Sequence, residues 1–209
     1  MTDQPRRYRM TRRADSQQAT RLRITESAVA LHGTLGPALT SMSAVAEHAG
    51  VRRSTLYRHF PDEAALFEAC SAHWAAANPP PDIGAWAAVE DPRERLAAAL
   101  RELYGYYGRT AQMLENLLRD ERTSEIVRER FTAFHGFLEA AREVLLQGRP
   151  ERGGARRRVR AALGHAVAFS TWQSLVEQQG LDGAEAAKLM CALVETAHGR
   201  RRDTARPRA

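Results

Sequence analysis

Thr40 to Phe60 reads TSMSAVAEHAGVRRSTLYRHF, and its reading decides the fold. Two short helical segments, Ser41 to Ala49 and Arg52 to His59, flank a turn at Gly50-Val51. Ser41 or Ser43 can cap the first segment, and Glu47 follows inside it. Val45, Ala46 and Ala49 share a face at helical spacing. Ala46 is small enough for a second helix to cross closely. Gly50 stands where the chain must leave the first helix, and glycine takes a positive φ at little cost. Val51 and Leu56 plug the second helix against the first. The outward side of that helix then carries Arg52, Arg53, Ser54, Thr55, Arg58 and His59, with no acid among them. These are ligands for phosphates and base edges, and the layout is that of a DNA-reading helix-turn-helix. A helical hairpin with a solvated basic face shares this composition, so the flanks matter.

Upstream, residues 16–35 form a first helix, with Ile24, Ala28, Leu31 and Leu35 recurring at spacings of four, three and four. Arg21 and Arg23 lie near its start, within reach of phosphate. Gly36-Pro37 ends it. Downstream, Asp62 to Ala77 is a fourth helix, stopped by Asn78-Pro79-Pro80-Pro81. From Ile24 to Leu66 the run closely resembles the N-terminal domain of the tetracycline-repressor (TetR) family of bacterial regulators. Ile24 and Ala28 sit at its first-helix core positions, Gly36 at its glycine and Thr40-Ser41 at its Thr-Thr pair. Val45-Ala46, Ala49-Gly50-Val51, Thr55-Leu56-Tyr57, Phe60 and Leu66 complete the pattern in register.

The resemblance implies a transcription regulator that binds double-stranded DNA as a homodimer and answers to a small molecule. Ser41 or Ser43 and Tyr57 would then contact phosphates, while Arg53, Ser54, Thr55, Arg58 and His59 face the major groove. Three positions depart from the family pattern. Arg52 replaces the usual serine cap of the recognition helix and trades capping for cationic reach. Glu63 replaces a phosphate-binding Lys at the start of the fourth helix; it favours the helix dipole instead, with Asp62 as cap. His32 replaces an aromatic core residue and reads as a half-buried neutral histidine.

The chain has 209 residues, enough for a sizeable core. Its charge is uneven: residues 1–62 carry a net +5, residues 63–150 a net −4 and residues 151–209 a net +5. A basic N-terminal module on an acidic middle places the DNA-facing end first. Arginine supplies the cations, since Lys188 is the single Lys; with the high Ala content this mainly reflects a GC-rich genome. Cys70 and Cys191 are far apart and in no metal spacing, which fits a reducing cytoplasm. No apolar run approaches a membrane span, so no membrane partner is expected. No nucleophile elbow, phosphate loop, carboxylate cluster or His-Glu-x-x-His appears, so catalysis, cofactors and metals are not expected.

The whole reads as all-α, about nine helices, in four parts. Residues 1–15 are a basic arm without fixed structure, carrying Arg6, Arg7, Arg9, Arg12 and Arg13, suited to the phosphate backbone or minor groove. Residues 16–78 are the helix-turn-helix domain with its linking fourth helix. Residues 79–198 are an effector-binding and dimerisation domain, and residues 199–209 a basic tail that frays. Within 79–198 the expected helices are Asp91 to Gly108, Ala111 to Arg119, Ser124 to Gln147, a helix rising from the basic loop 149–160 and running to Gln179, and Asp182 to His198. Loop 149–160 (RPERGGARRRVR from Arg149) reads as solvated, or as a second nucleic-acid patch. Arginines at a helix start call for acids nearby.

Trp86, Tyr104, Tyr107, Met113, Phe131, Phe134, Phe169 and Trp172 could line a cavity or simply pack a core, with His135 and His165 as polar contacts. The family resemblance favours a pocket for an apolar or aromatic effector. It also implies that the last two long helices, apolar over wide arcs, pair with a twofold mate. The leading expectation is a repressor released from a palindromic operator. The alternatives are a DNA-binding protein without a ligand, and a helical small-molecule carrier with a vestigial helix-turn-helix.

Overall fold

The computed structural model describes the chain over residues 4–198, with side chains from residue 14 onward. It is all-α, with no strand among the described residues. Ten helices follow in order: α1 (Gln4–Thr34), α2 (Met42–His48), α3 (Arg53–His59), α4 (Glu63–Ala77), α5 (Ile83–Ala87), α6 (Pro92–Asp120), α7 (Glu125–Leu146), α8 (Gly153–Ala166), α9 (Phe169–Gln173) and α10 (Gly183–Thr196). A 3-10 turn, Pro37–Leu39, precedes α2, and a π-type turn over Ser174–Gln178 continues α9. Packing divides the chain into two compact units. Residues up to Pro79 and Thr110–Phe131 form the first; Pro80–Arg109 and residues from Thr132 on form the second.

The first unit is built on the apolar stripes that helical spacing marks. Ile24 and Ala28 of α1, Val45 and Ala46 of α2 with its C-cap Ala49, and Leu56 of α3 are buried with Phe60, Leu66, Phe67, Cys70 and Val127. Burying an aliphatic or aromatic side chain contributes about 1.5–3 kcal/mol, so this set carries the unit. The turn between α2 and α3 closes by two backbone bonds, Gly50 N–H to Glu47 O (3.0 Å) and Val51 N–H to Ala46 O (2.9 Å). That pairing requires a left-handed residue at its centre, and Gly50 supplies φ +64°. Ser41 caps α2 by accepting from Ala44 N–H at 3.1 Å, and Asp62 caps α4 by accepting from Ala65 N–H at 2.8 Å. Glu63 lies in the first turn of α4, where its charge suits the dipole.

The second unit buries Trp86, Leu96, Leu100, Leu103, Tyr104 and Tyr107 with Leu145, Leu163, Phe169, Trp172, Met190 and Val194. Arg95 is 5% exposed and donates to the carbonyls of Val89, Glu90, Val144 and Gln147, which closes the end of α7. An end of a helix has carbonyls with no intrahelical donor, and a buried guanidinium satisfies several at once.

Four elements differ from the sequence expectation. α1 begins at Gln4, so residues 4–15 of the expected arm continue the helix; residues 1–3 and the tail from 199 lie outside the described residues. α5 was not expected, because five residues are too few to show a period; Asp82 caps it and Trp86 anchors it. α6 runs unbroken through Gly108, where two helices were expected. An interior glycine costs only about 1 kcal/mol, less than the buried Tyr107 contributes next to it. The helix expected to reach Gln179 instead ends as α8 at Ala166 and restarts as α9. There, Tyr104 Oη donates to Ala166 O (3.0 Å), Tyr107 Oη to Val167 O (2.5 Å) and Thr171 Oγ1 to His165 O (2.6 Å). Side chains take the carbonyls that a continuing helix would have used.

Candidate nucleic-acid interface

α3 presents the expected face. Arg52, Arg53, Ser54, Tyr57 and Arg58 are exposed, Thr55 and His59 are half-buried, and Leu56 on the opposite side is fully buried. Arg52 stands at the N-cap in extended backbone and its side chain makes no cap bond. The cost of the missing serine is therefore real in the structure, and the first turn of α3 keeps free N–H groups. Of the two candidate serines on α2, Ser41 is the cap, while Ser43 is exposed in the first turn.

Two cation–aromatic pairs organise the outward surface. Arg53 lies 5.7 Å from the Tyr57 ring centroid, with its Nη2 3.5 Å from the Tyr57 hydroxyl. Tyr57 sits one turn after Arg53, so the pair forms the i,i+4 contact that a helix offers. Arg21 of α1 lies 4.1 Å over the Phe60 ring and donates from Nη1 to His59 O at 2.7 Å. Its charge meets the negative end of the α3 dipole. Sequence reasoning placed Arg21 near phosphate; the structure gives it this second duty as the C-terminal anchor of α3.

His59 is held below its ordinary pKa, first by burial and then by the charges of Arg58 and Arg21. It is a neutral imidazole at pH 7. Its Nε2 is buried with no hydrogen-bond partner among the described residues. His32 is buried against the Phe67 ring, centroids 5.5 Å apart, with Nδ1 3.4 Å from Cys70 Sγ. Burial, opposed by the Asp120 carboxylate, lowers His32 to about 4, so it too is neutral; burial pushes the Cys70 thiol up to about 11.

The ten candidate effector residues fall into separate groups. Tyr104, Tyr107, Phe169 and Trp172 come together in the second unit: Tyr107 meets Phe169 edge-on at 5.3 Å, and Phe169 stacks on Trp172 at 5.4 Å. Burial raises both tyrosines well above their ordinary pKa. His165 adjoins this group through Thr171, whose hydroxyl lies 3.2 Å from Nδ1. Trp86 is buried elsewhere in the unit, donating from Nε1 to Glu102 at 2.8 Å and meeting Phe137 edge-on. Phe134 stacks on Phe137 and touches the exposed His135. Met113 and Phe131 pack within the first unit.

Four arginines of segment 149–160 are engaged within the chain. Arg149 is buried against Glu195 (2.9 Å), Arg152 donates to the carbonyls of Pro150 and Glu151, Arg158 to those of Ala197 and His198, and Arg160 pairs with Glu143 at 2.6 Å. Glu195 thus pairs with an arginine that precedes α8, and Glu143 with one in its middle. On α10, Leu189 and Leu193 remain 41% and 50% exposed. No described helix is long and apolar enough to cross a membrane.

Residues that sequence reasoning missed are Asn116, Arg119 and Asp120, which bond to the end of α1 and to the α1–α2 connection. A signal for them existed: Met113, Asn116, Leu117 and Asp120 fall on one helical face, and two polar residues on an apolar stripe need partners.

Comparison with known proteins agrees with this geometry. The family model described as "Bacterial regulatory proteins, tetR family" matches residues 24–70. No curated protein matches the chain in sequence. Among solved structures, a TetR-like transcriptional regulator from Rhodococcus sp. RHA1 aligns with TM-score 0.61 at 20% identity, over 85% of this chain and 94% of that one. NalD of Pseudomonas aeruginosa, the secondary repressor of the MexAB-OprM multidrug efflux pump, gives 0.57 at 20%, over 88% and 97%. FadR of Bacillus subtilis, solved with stearoyl-CoA, gives 0.56 at 16%, over 83% and 96%. At these identities the neighbours establish a shared fold along most of the chain. The match over residues 24–70 falls on the helices that carry the exposed basic face, so this segment is similar to the DNA-binding domain of tetR-family regulators.

Proposed function

We propose that this chain is a tetR-family transcriptional regulator, a cytoplasmic, homodimeric repressor that leaves a palindromic operator when a small apolar or aromatic molecule binds its second unit. The observation that carries the DNA-reading part is α3, a helix plugged inward by Leu56 and outwardly basic, with no acid. Arg53, Ser54, Thr55, Arg58 and His59 would meet base edges in the major groove; Ser41, Ser43, Arg52 and Tyr57 would meet phosphates. Twofold pairing through α8 and α10 would bury Leu189 and Leu193 and space two α3 helices one DNA turn apart. The sequence segment 16–78 is then the DNA-binding domain, and 79–198 the effector and dimerisation domain.

Effector contact falls to Tyr104, Tyr107, Phe169, Trp172 and His165, the candidates that come together; Trp86, Phe134 and His135 lie elsewhere in the second unit, and Met113 and Phe131 belong to the first. The solved neighbours include one in complex with stearoyl-CoA, which carries a long apolar acyl chain on a polar carrier, and one with triclosan, which is aromatic. The stacked rings and satisfied hydroxyls of the tyrosine cluster also suit a filled core. That observation keeps a ligand-independent DNA-binding protein as the second reading.

Selection from a random duplex pool with the full chain tests the DNA-reading part, and an enriched inverted repeat is the expected result. On that duplex, Arg53→Ala and Tyr57→Ala are each expected to lower affinity about tenfold or more. If neither weakens binding, α3 is not the reading helix. Thermal shift against a panel of apolar ligands separates the two readings of the second unit. Leu193→Glu is expected to turn a dimer into a monomer in sedimentation.

A further inference from the structure

The connection from α1 to α2 has little apolar packing of its own. Leu35 is 45% and Leu39 71% exposed, and only Gly36, Pro37 and Thr40 are buried within it. Its conformation is fixed instead by the last turn and a half of α6. Asn116, 2% exposed, donates from Nδ2 to His32 O (3.0 Å) and Gly33 O (2.9 Å), two carbonyls in the last turn of α1. Arg119 donates from Nη2 to Leu35 O at 2.8 Å. Asp120, 3% exposed, accepts from Ala38 N–H at 2.9 Å through Oδ2. Arg119 also donates to Asp120 Oδ1 (2.7 Å) and Asn116 Oδ1 (3.1 Å), so the three side chains lock one another.

Gly36 fits into this grip. Its φ is +93°, and a Cβ there would overlap the Arg119 guanidinium and the Asp120 carboxylate. Thr40 Oγ1 donates to Gly36 O at 2.8 Å, and α2 begins two residues later. Two carbonyls at the end of α1, and one acceptor and one donor of the connection, are thus held by one helix end, immediately before the helix-turn-helix.

We propose that Asn116, Arg119 and Asp120 are positioning residues for the DNA-reading module. They set the direction in which α2, with α3 packed on it, leaves α1, and they touch no DNA themselves. The inference rests on the reading that α3 meets DNA. The physical reason is geometric: a base contact tolerates displacements of well under about 1 Å, whereas attraction to phosphates tolerates more. Loosening the grip therefore costs sequence-specific affinity and leaves general attraction to DNA intact. A side chain that only adds stability would change neither ratio while the chain stays folded.

The test compares full-length Arg119→Ala, Arg119→Lys and Asp120→Asn with the parent chain, on the selected duplex and on a scrambled duplex of equal length. Failure of the parent chain to enrich any duplex would remove the DNA reading and is separate from the grip. With a selected duplex in hand, Arg119→Ala and Asp120→Asn are expected to lose about tenfold in affinity for it. Affinity for the scrambled duplex is expected to stay within about twofold, with an unchanged slope of log K against log salt, because no phosphate contact is removed. Arg119→Lys, which keeps charge without the fork, is expected to fall between. Arg119 is 51% exposed in its side chain, so its variants fold even where Asp120→Asn does not. Equal weakening on both duplexes, or full affinity for the selected one, overturns the proposal.

Discussion

α3 and the α8–α9 junction are both short, polar-decorated stretches, and they use their polar groups in opposite ways. On α3 the donors point outward: Arg52, Arg53, Ser54 and Arg58 are exposed, and the helix is held from below by Leu56 and at its end by Arg21. At the junction the polar groups point inward and are consumed, since Tyr104, Tyr107 and Thr171 take the carbonyls of Ala166, Val167 and His165. One stretch stores hydrogen-bonding capacity for something outside the chain. The other spends it on stopping a helix. Changes on the first should therefore move binding and leave stability, and changes at the second the reverse.

The inward side of α3 gives the largest effect and marks where that contrast ends. Leu56 has no exposure, and Leu56→Ala is expected to cost about 2–5 kcal/mol and to lose DNA binding with the fold of the first unit. Arg58→Ala, two residues on and exposed, is expected to leave the unfolding free energy within about 0.5 kcal/mol of parent while operator affinity falls. Chemical denaturation and duplex titration on the same two variants check both. A stability loss at Arg58 equal to that at Leu56 would erase the distinction between the two faces.

Acid tests the buried polar side of the same unit. Burial lowers His32 to about 4, from an ordinary value of 6.5. Its surroundings are Cys70 and Phe67 from α4 and Asp120 from α6. The folded value lies below the unfolded one, so the unfolded chain takes up the proton first as pH falls. The contribution is complete above about pH 6.5 and is lost progressively toward pH 4, amounting to about 3 kcal/mol. His32→Asn is expected to flatten the fall in denaturation midpoint between these pH values, while sharing every other titrating group. A parallel pH profile would show that His32 is not the group being charged.

The junction supplies the reverse case. Tyr107→Phe keeps the ring and leaves Val167 O without its 2.5 Å donor, at a cost of about 1–3 kcal/mol. Tyr104→Phe removes the 3.0 Å bond to Ala166 O and is expected to cost less. Operator affinity is expected to survive both at temperatures where the chain stays folded. Loss of affinity with no change in melting would make the tyrosines part of the DNA response rather than of the helix stop.

The same contrast explains which parts were legible in the sequence. The helix-turn-helix is specified locally: Ser41, Gly50 and Leu56 each act within a few residues of their own position, so their order in the chain is the structure. The end of α8 is not local. It depends on Tyr104 and Tyr107, about sixty residues earlier, and nothing between Val159 and Gln179 announces a stop. Gly108 looked like a stop and was not one, because a single glycine is a weaker signal than the buried face on either side. The grip of Asn116 and Asp120 lay between these cases. Their place on an apolar face was visible, but the carbonyls of His32 and Gly33 that answer it lie more than eighty residues away.

Arg52 offers the smallest and sharpest test. It occupies the N-cap of α3 without a capping bond, where Ser41 and Asp62 cap their helices properly. If α3 existed only to be stable, serine would be the better residue, and Arg52→Ser is expected to gain roughly 0.5–1 kcal/mol. The guanidinium it removes is exposed and stands at the end of α3 where free backbone N–H groups already favour an anion. Operator affinity is therefore expected to fall as stability rises, and the slope of log K against log salt to drop by about 0.9 for one lost phosphate contact. A variant that gains stability and keeps both affinity and slope would show that Arg52 contributes nothing to DNA. The exposed face of α3 would then begin at Arg53, and the departure from serine would carry a cost with no return.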